Sequence, residues 1–294
     1  MADLDYLPAL SSFDYLIPKT IKEACSLLSK HKGKAEAIAG GTDLLVSMLK
    51  RQISPKYLVS IKAIPELDYI HYSQKDGLKI GALATLKSIA TSPIIKDKFG
   101  LLATSCNKIG TPQVRNMGTI GGNICKAGPS QDSIPALLVL EAKLKLVSLK
   151  KERVVPIDKF FIAPFQTALD KAELLTEIQI PTPPPRSSGC YQWITKITEA
   201  DETLVGVAIL MTLETDSICK DIKIGLCSVA PTPMRARKAE EVLRGKTLED
   251  KIIEQVAQVA AEETRPRSRA DYRRQMTGVL VKRAIDEVWQ KLRR

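Results

Sequence analysis

The chain has 294 residues, 44% apolar and 26% charged, a balance that supports the packed cores of two domains and excludes a disordered or low-complexity chain. No apolar run approaches the roughly 20 residues that span a bilayer, and residues 1–20 carry early acids in place of a basic stretch followed by an apolar core, so a cytoplasmic protein without a secretory signal is expected. The net charge of +11 is uneven: residues 265–294 hold ten Lys or Arg against three acids, a solvated helix face or a dock for an acidic partner, without the motifs or aromatic interleaving of a nucleic-acid binder.

In chain order, Thr20 and Glu23 form a capping-box pattern ahead of Ala24, Leu27 and Leu28 at helical spacing. A short strand over 34–39 then runs into Gly40-Gly41-Thr42-Asp43 and a helix over 44–49, the grammar of strand, tight turn and helix. Strands follow at 57–61 and 78–82 with a turn through Pro65 between them, βαβ-like material. Short helices are expected at 86–90 and 94–98, on either side of Pro93, and another at 101–109.

Residues 110–142 are the organising stretch. Thr119, Gly121, Gly122 and Asn123 sit together, and paired glycines let a main chain approach a ligand and turn its N–H groups toward an anion such as a pyrophosphate. A second polar cluster, Pro129 to Asp132, precedes a buried helix over 134–140 whose start Asp132 or Ser133 can cap. Either glycine pair alone is an ordinary turn; their joint occurrence points to two turns gripping one ligand.

Beyond this stretch, 143–149 alternates as a half-exposed strand and turns back through 154–155 as a hairpin, Phe160, Phe161 and Phe165 follow, and 174–180 forms a strand. The prolines at 181 and 183–185 cannot continue a sheet and mark a domain boundary. The second domain begins with strands at 191–193, 204–210 and 222–229. It then becomes helical, with stripes at Ile252, Ile253, Val256, Val259 and Ala260 and at Met276, Leu280, Ala284, Val288 and Leu292, which makes it α+β. The expected layout is 1–181, subdivided near residue 60 into 1–60 and 61–181, then 186–294.

The six cysteines are scattered and the histidines are only His31 and His71, so no metal centre is expected in this chain and the thiols are expected to be small buried hydrophobes. No G-x-G-x-x-G, Walker lysine, G-x-S-x-G or cysteine with a plausible histidine partner is present, which removes ordinary dehydrogenase, NTPase and covalent-hydrolase chemistry.

AGGTDLL at 39–45, NMGTIGGNIC at 116–125, Asp132 before its apolar run and RPRSRADYRRQMTGVLVKRAI at 265–285 closely resemble the FAD-binding medium subunit of molybdenum hydroxylases. This is the family of the carbon monoxide dehydrogenase medium subunit and the xanthine dehydrogenase flavin domain. The resemblance covers nearly the whole chain. It implies an α+β protein: a two-subdomain FAD-binding domain of the vanillyl-alcohol-oxidase (PCMH) type, then a smaller α+β C-terminal domain. It further implies that Ala39, Gly40, Gly41, Thr42, Asp43 and Leu44, with Thr119, Gly121, Gly122 and Asn123, hold the FAD pyrophosphate and nearby groups by main-chain N–H bonds. Asp132 would be a further polar contact, and Ile109 and Leu169 match apolar positions near the flavin. Many relatives carry a lysine where an ungapped reading puts Trp193, as a core residue or a lid on the flavin ring; Lys196 takes that place only if the loop is shifted.

The function implied by the resemblance is a FAD-carrying electron-transfer subunit of an oxidoreductase complex. It would take electrons from a [2Fe–2S] subunit reduced by a large molybdopterin subunit and pass them to an external acceptor, with no catalytic acid or base of its own. A stand-alone flavin oxidase and a flavin-free scaffold are the alternatives; the first needs a titratable base over the flavin, for which the sequence offers no candidate.

Overall fold

The computed structural model describes residues 10–198 and 200–293; the acids of residues 1–9, on which the leader-segment expectation partly rests, Glu199 and the terminal Arg294 lie outside the described residues. The chain opens with β1 (Asp14–Leu16), α1 (Ile21–Lys30), β2 (Ala35–Ile38), α2 (Leu44–Leu49) and β3 (Tyr57–Ser60). These strands form a parallel sheet in the order β1-β3-β2. Thr20 Oγ1 accepts from the Glu23 N–H at 3.1 Å, and the Glu23 carboxylate reaches back one residue further than a standard capping box, to the N–H of Lys19 at 2.7 Å. Ala24, Cys25 and Leu28 of α1 are buried, as their helical spacing requires.

A second, antiparallel sheet follows: β4 (Ile70–Ser73), β5 (Gly77–Gly81), β6 (Lys143–Val147), β7 (Glu152–Pro156) and, after the two-stranded β8 (Phe161–Ala163) and β9 (Gln166–Thr167), β10 (Leu174–Ile180). Its order is β4-β5-β10-β6-β7, so β10 enters last and sits in the middle. Between β5 and β6 the chain makes six helices: α3 (Leu86–Thr91), α4 (Pro93–Lys98), α5 (Gly100–Lys108), α6 (Pro112–Met117), α7 (Ile120–Lys126) and α8 (Ser133–Val139). The organising stretch 110–142 therefore contains two short helices, α6 and α7, ahead of α8, which falls where a helix over 134–140 is expected.

After the prolines come a four-stranded antiparallel sheet, β11 (Ser187–Thr195), β12 (Thr203–Leu213), β13 (Cys219–Cys227) and β14 (Met234–Arg235), in sequential order, and then α9 (Arg237–Leu243), α10 (Asp250–Glu263) and α11 (Ala270–Leu292). Leu280, Ala284 and Val288 of α11 are buried in the core of this sheet, with Met276 and Leu292 at its margin; Leu280 and Val288 each contribute about 2 kcal/mol by that burial. The largest core lies between the five-stranded sheet and α3–α8 and takes in Tyr191, Ala208 and Leu210, so the two halves of the chain share one apolar interior. The cysteines are all free, five buried and Cys125 partly so.

Candidate functional site: two glycine segments in contact

The first glycine segment is the turn between β2 and α2. Gly41 has φ +77°, a left-handed conformation that side chains disfavour. Gly40 is required for a different reason: a Cβ there would overlap the Met117 carbonyl oxygen and come within 3.0 Å of the Gly118 Cα. The turn is thus pressed against the main chain just before the second glycine segment. A Cβ on Gly118 would in turn lie 3.6 Å from Thr42 Oγ1, so the Thr42 side chain also faces the second motif. Among the described residues, the N–H groups of Gly40, Gly41, Thr42 and Asp43 donate to no protein acceptor. Four consecutive unused donors in a partly open turn form an anion-accepting nest.

The second glycine pair is built differently. Thr119 caps α7, its Oγ1 accepting from Gly122 N–H at 3.1 Å, and places both glycines in the first turn of a helix. The donors there are already committed: Ile120 N–H to Ala84 O, Gly121 N–H to Ala82 O and Asn123 N–H to Thr119 O, at 2.9 to 3.0 Å. Gly121 lets α7 approach the end of β5, since a Cβ would lie 2.7 Å from both the oxygen and the Cβ of Ala82. Main-chain donors without a protein acceptor thus occur at residues 40–43, whereas at 120–123 the helix and the neighbouring strand end use them. What this segment presents to a ligand is the exposed Gly122, Thr119 being buried with its hydroxyl on the cap.

Asn123 connects the second segment to the polar cluster before α8: its Nδ2 donates to Gln131 Oε1 at 2.7 Å, and its Oδ1 accepts from Ser133 Oγ at 2.6 Å. Asp132 stands at the helix start but its side chain makes no capping bond. It is instead 6% exposed, and its Oδ1 accepts from both Tyr191 OH and Thr203 Oγ1 at 2.6 Å, tying α8 to β11 and β12. No hydrogen bond reaches its Oδ2 among the described residues. Burial pushes the Asp132 carboxyl above the usual carboxylate range, against the opposing pull of the two hydroxyls and of Lys108.

Trp193 stacks on Tyr191, ring centroids 5.7 Å apart and 16° from parallel, so Asp132 also fixes the indole through its neighbour. Trp193, Ile109 and Leu169 are all partly buried against the main core, whereas Lys196 is exposed in the β11–β12 loop. Two residues beside the glycine segments were given no role from sequence. Lys126 bonds Ser47 Oγ at 3.3 Å, lies 3.9 Å from Asp43 and sits 5.4 Å from the Phe165 ring centroid, linking α7 to α2. Phe165 itself has φ +61° and donates its N–H to Ala127 O, Ala127 being left-handed as well, a concentration of strain beside the segment. No periodicity signals either; only the lysine's position at the end of the glycine helix gave a hint.

An α+β chain with an anion-accepting glycine turn wedged against a second glycine segment has the build of a protein that binds a diphosphate-containing cofactor, and the turn itself fits one: a side chain at Gly40 or Gly41 would overlap the neighbouring backbone or strain the turn. Comparison with known proteins specifies the cofactor. Residues 11–183 match the FAD binding domain in molybdopterin dehydrogenase and residues 193–288 match the CO dehydrogenase flavoprotein C-terminal domain. The chain is 33% identical to the carbon monoxide dehydrogenase medium chain of Hydrogenophaga pseudoflava, over 95% of this chain and 98% of that one. It is also 33% identical to the glyceraldehyde dehydrogenase medium chain of Sulfolobus acidocaldarius, over 94% and 98%. Among solved structures, carbon monoxide dehydrogenase from H. pseudoflava superposes with a TM-score of 0.92 at 33% identity, covering 96% of this chain and 99% of that one. Quinoline 2-oxidoreductase from Pseudomonas putida 86 follows at 0.90 and 25%, covering 98% and 100%. The chain belongs to the family of FAD-binding subunits of molybdopterin dehydrogenases, and is an oxidoreductase flavoprotein of that class.

Proposed function

We propose that this chain holds FAD as the exit station of a heteromeric molybdenum-dependent dehydrogenase, receiving electrons from a small [2Fe–2S] subunit that a large molybdopterin-binding subunit reduces, and passing them to an external acceptor in the cytoplasm. The observation that carries this reading is the run of four unused N–H donors at Gly40 to Asp43, pressed against the second glycine segment. Ala39 to Leu44 bind the diphosphate; Thr119, Gly121, Gly122 and Asn123 shape the facing wall. Asp132, through its unused Oδ2, accepts from a hydroxyl of the cofactor. Ile109, Leu169 and Trp193 keep water from the ring, and Trp193 is held in place by Tyr191. Bound there, FAD supplies the redox chemistry that joins one-electron iron–sulfur centres to an acceptor. No side chain of this chain moves a proton in that scheme.

The residue bounds 1–181, divided near residue 60, and 186–294 are the domain division that goes with this reading. Among the described residues no helix is long and apolar enough to cross a membrane, and no group of His, Cys, Asp or Glu is arranged to hold a metal ion. The test is the visible absorption spectrum and released cofactor of the purified chain, wild type against Gly41→Asp, with circular dichroism as the check on folding. Stoichiometric FAD in the wild type and its loss from the folded variant are expected. A folded wild type that takes up no flavin even from excess would end the proposal.

A further inference from the structure

The basic segment plays no part in the flavin site, yet the fold brings it to the rim of that site. The Arg265 N–H donates to Val229 O at 2.8 Å, and the neighbouring Ser228 N–H donates to Pro129 O at 2.7 Å, in the polar cluster before α8. Arg273 donates to Leu204 O at 2.7 Å and to Ser228 O, fixing the start of α11 against the same corner. Ser130, in that corner, donates to Glu202. The arginine loop and the second polar cluster are therefore two sides of one seam.

Arg265, Arg267, Arg269 and Arg274 are exposed there. Among the described residues no acid lies within ion-pair distance of the first three, and Arg274 has only a loose contact with Asp271 at 3.7 Å. Further along α11, Lys282 pairs with Glu254 at 3.0 Å and Lys291 with Glu287 at 2.6 Å, leaving the exposed Arg283 as the base there with no acid within ion-pair distance among the described residues. Most of the uncompensated charge of residues 265–292 is thus gathered in the loop and first turn that lead into α11. Tyr272, 43% exposed, stands among these arginines. Arginine and tyrosine are the side chains enriched where proteins meet, and unpaired surface charge steers an oppositely charged partner into place.

We propose that Arg265, Arg267, Arg269 and Arg274, with Tyr272, form the docking surface for an acidic electron-carrier protein, the external acceptor of the flavin reading on which this inference rests. A protein fits better than a nucleic acid: the charges lie on a loop and a single helical turn, with no element shaped to enter a groove, and the patch adjoins the site from which electrons leave. Each docked carrier is reduced by one electron and the bound cofactor is oxidised by one.

The experiment measures binding and needs no turnover. The assembled complex, and the same complex carrying Arg265→Glu, Arg267→Glu and Arg269→Glu together, are titrated by calorimetry with a strongly acidic [2Fe–2S] ferredoxin at low and at physiological salt. Cytochrome c, a short DNA duplex and vesicles containing phosphatidylserine are the comparison probes. Saturable ferredoxin binding is expected that weakens as salt shortens the reach of the charges to about 8 Å. The triple variant should bind at least about tenfold more weakly, with unchanged flavin content, and Tyr272→Ala should raise the dissociation rate. Ferredoxin binding that is absent or indifferent to the triple variant overturns the proposal. So does equal or tighter binding of DNA or vesicles, or failure of the triple variant to assemble with its partner subunits. Flavin content, read separately, reports on the cofactor reading alone.

Discussion

The two glycine pairs look alike in sequence, AGGTD at 39–43 and TIGGN at 119–123, but the first precedes a helix, the second lies in the first turn of one, and they do different physical work. The first keeps its N–H groups free and uses Gly41 at φ +77° to hold them in a turn. The second spends its N–H groups on a helix and a strand end, and uses Gly121 to let backbone approach backbone. One presents donors to a ligand; the other removes the bulk that would keep α7 off the sheet. A glycine pair in a binding protein is thus not evidence of a donor nest until its own hydrogen bonds have been traced.

Substitutions at the two pairs sharpen this contrast. The largest effect is expected at Gly40→Ala, whose methyl group would overlap the Met117 carbonyl: a rigid backbone overlap should cost about 3 kcal/mol and release flavin, seen as a lowered urea midpoint together with loss of visible absorption. Gly121→Ala should cost about 2 kcal/mol because the Ala82 backbone cannot yield easily, while any flavin that remains is bound with nearly the wild-type dissociation constant. Gly41→Asp is the converse: its conformation costs about 1 kcal/mol, but its charge and bulk should abolish flavin binding. If Gly121→Ala lost flavin without losing stability, the division of labour between the pairs would be wrong. Thr119→Ala should cost about 1 kcal/mol by uncapping α7.

The smallest effect expected is a change of slope with pH at Asp132. Its folded carboxyl titrates above its unfolded value, so the protonated form is favoured by folding; that stability is present below about pH 4, the unfolded carboxylate value, and is lost as pH rises through the folded one. Asp132→Asn cannot titrate. Its urea midpoint relative to wild type should therefore rise across that window, and a relative midpoint that falls would mean Asp132 is ionised in the fold without penalty.

Long or strongly patterned elements were legible in advance. The stripe of α11, the hairpin of β6 and β7, and the strand at β10 need only periodicity and turn residues. The elements that escaped are short: β1 has three residues, and α6 and α7 have six and seven, too few turns for a periodic signal and rich in glycine and asparagine. The sheet orders escaped for another reason. β10 pairs with β5, whose partner residues lie 96 to 102 positions earlier in the chain, and with β6 on its other side, and only the packing of the intervening helices against one face selects that place. Asp132 was legible as a polar residue before a helix, but its partners Tyr191 and Thr203 lie 59 and 71 residues further on.

By itself the sequence determined that this protein is α+β, where its main strands and helices fall, which two segments carry backbone-permissive glycines, and that uncompensated positive charge gathers near its end. These are local properties, set by side-chain period, turn chemistry and composition. Tertiary structure alone decided that Gly40 rests on Met117, that the donors of one glycine pair stay free while those of the other are consumed, that Asp132 joins the two halves of the chain, and that the arginine loop meets the polar cluster before α8. Each of these depends on which distant backbone comes within hydrogen-bonding range, and that is fixed by the shared core and not by any stretch of residues alone.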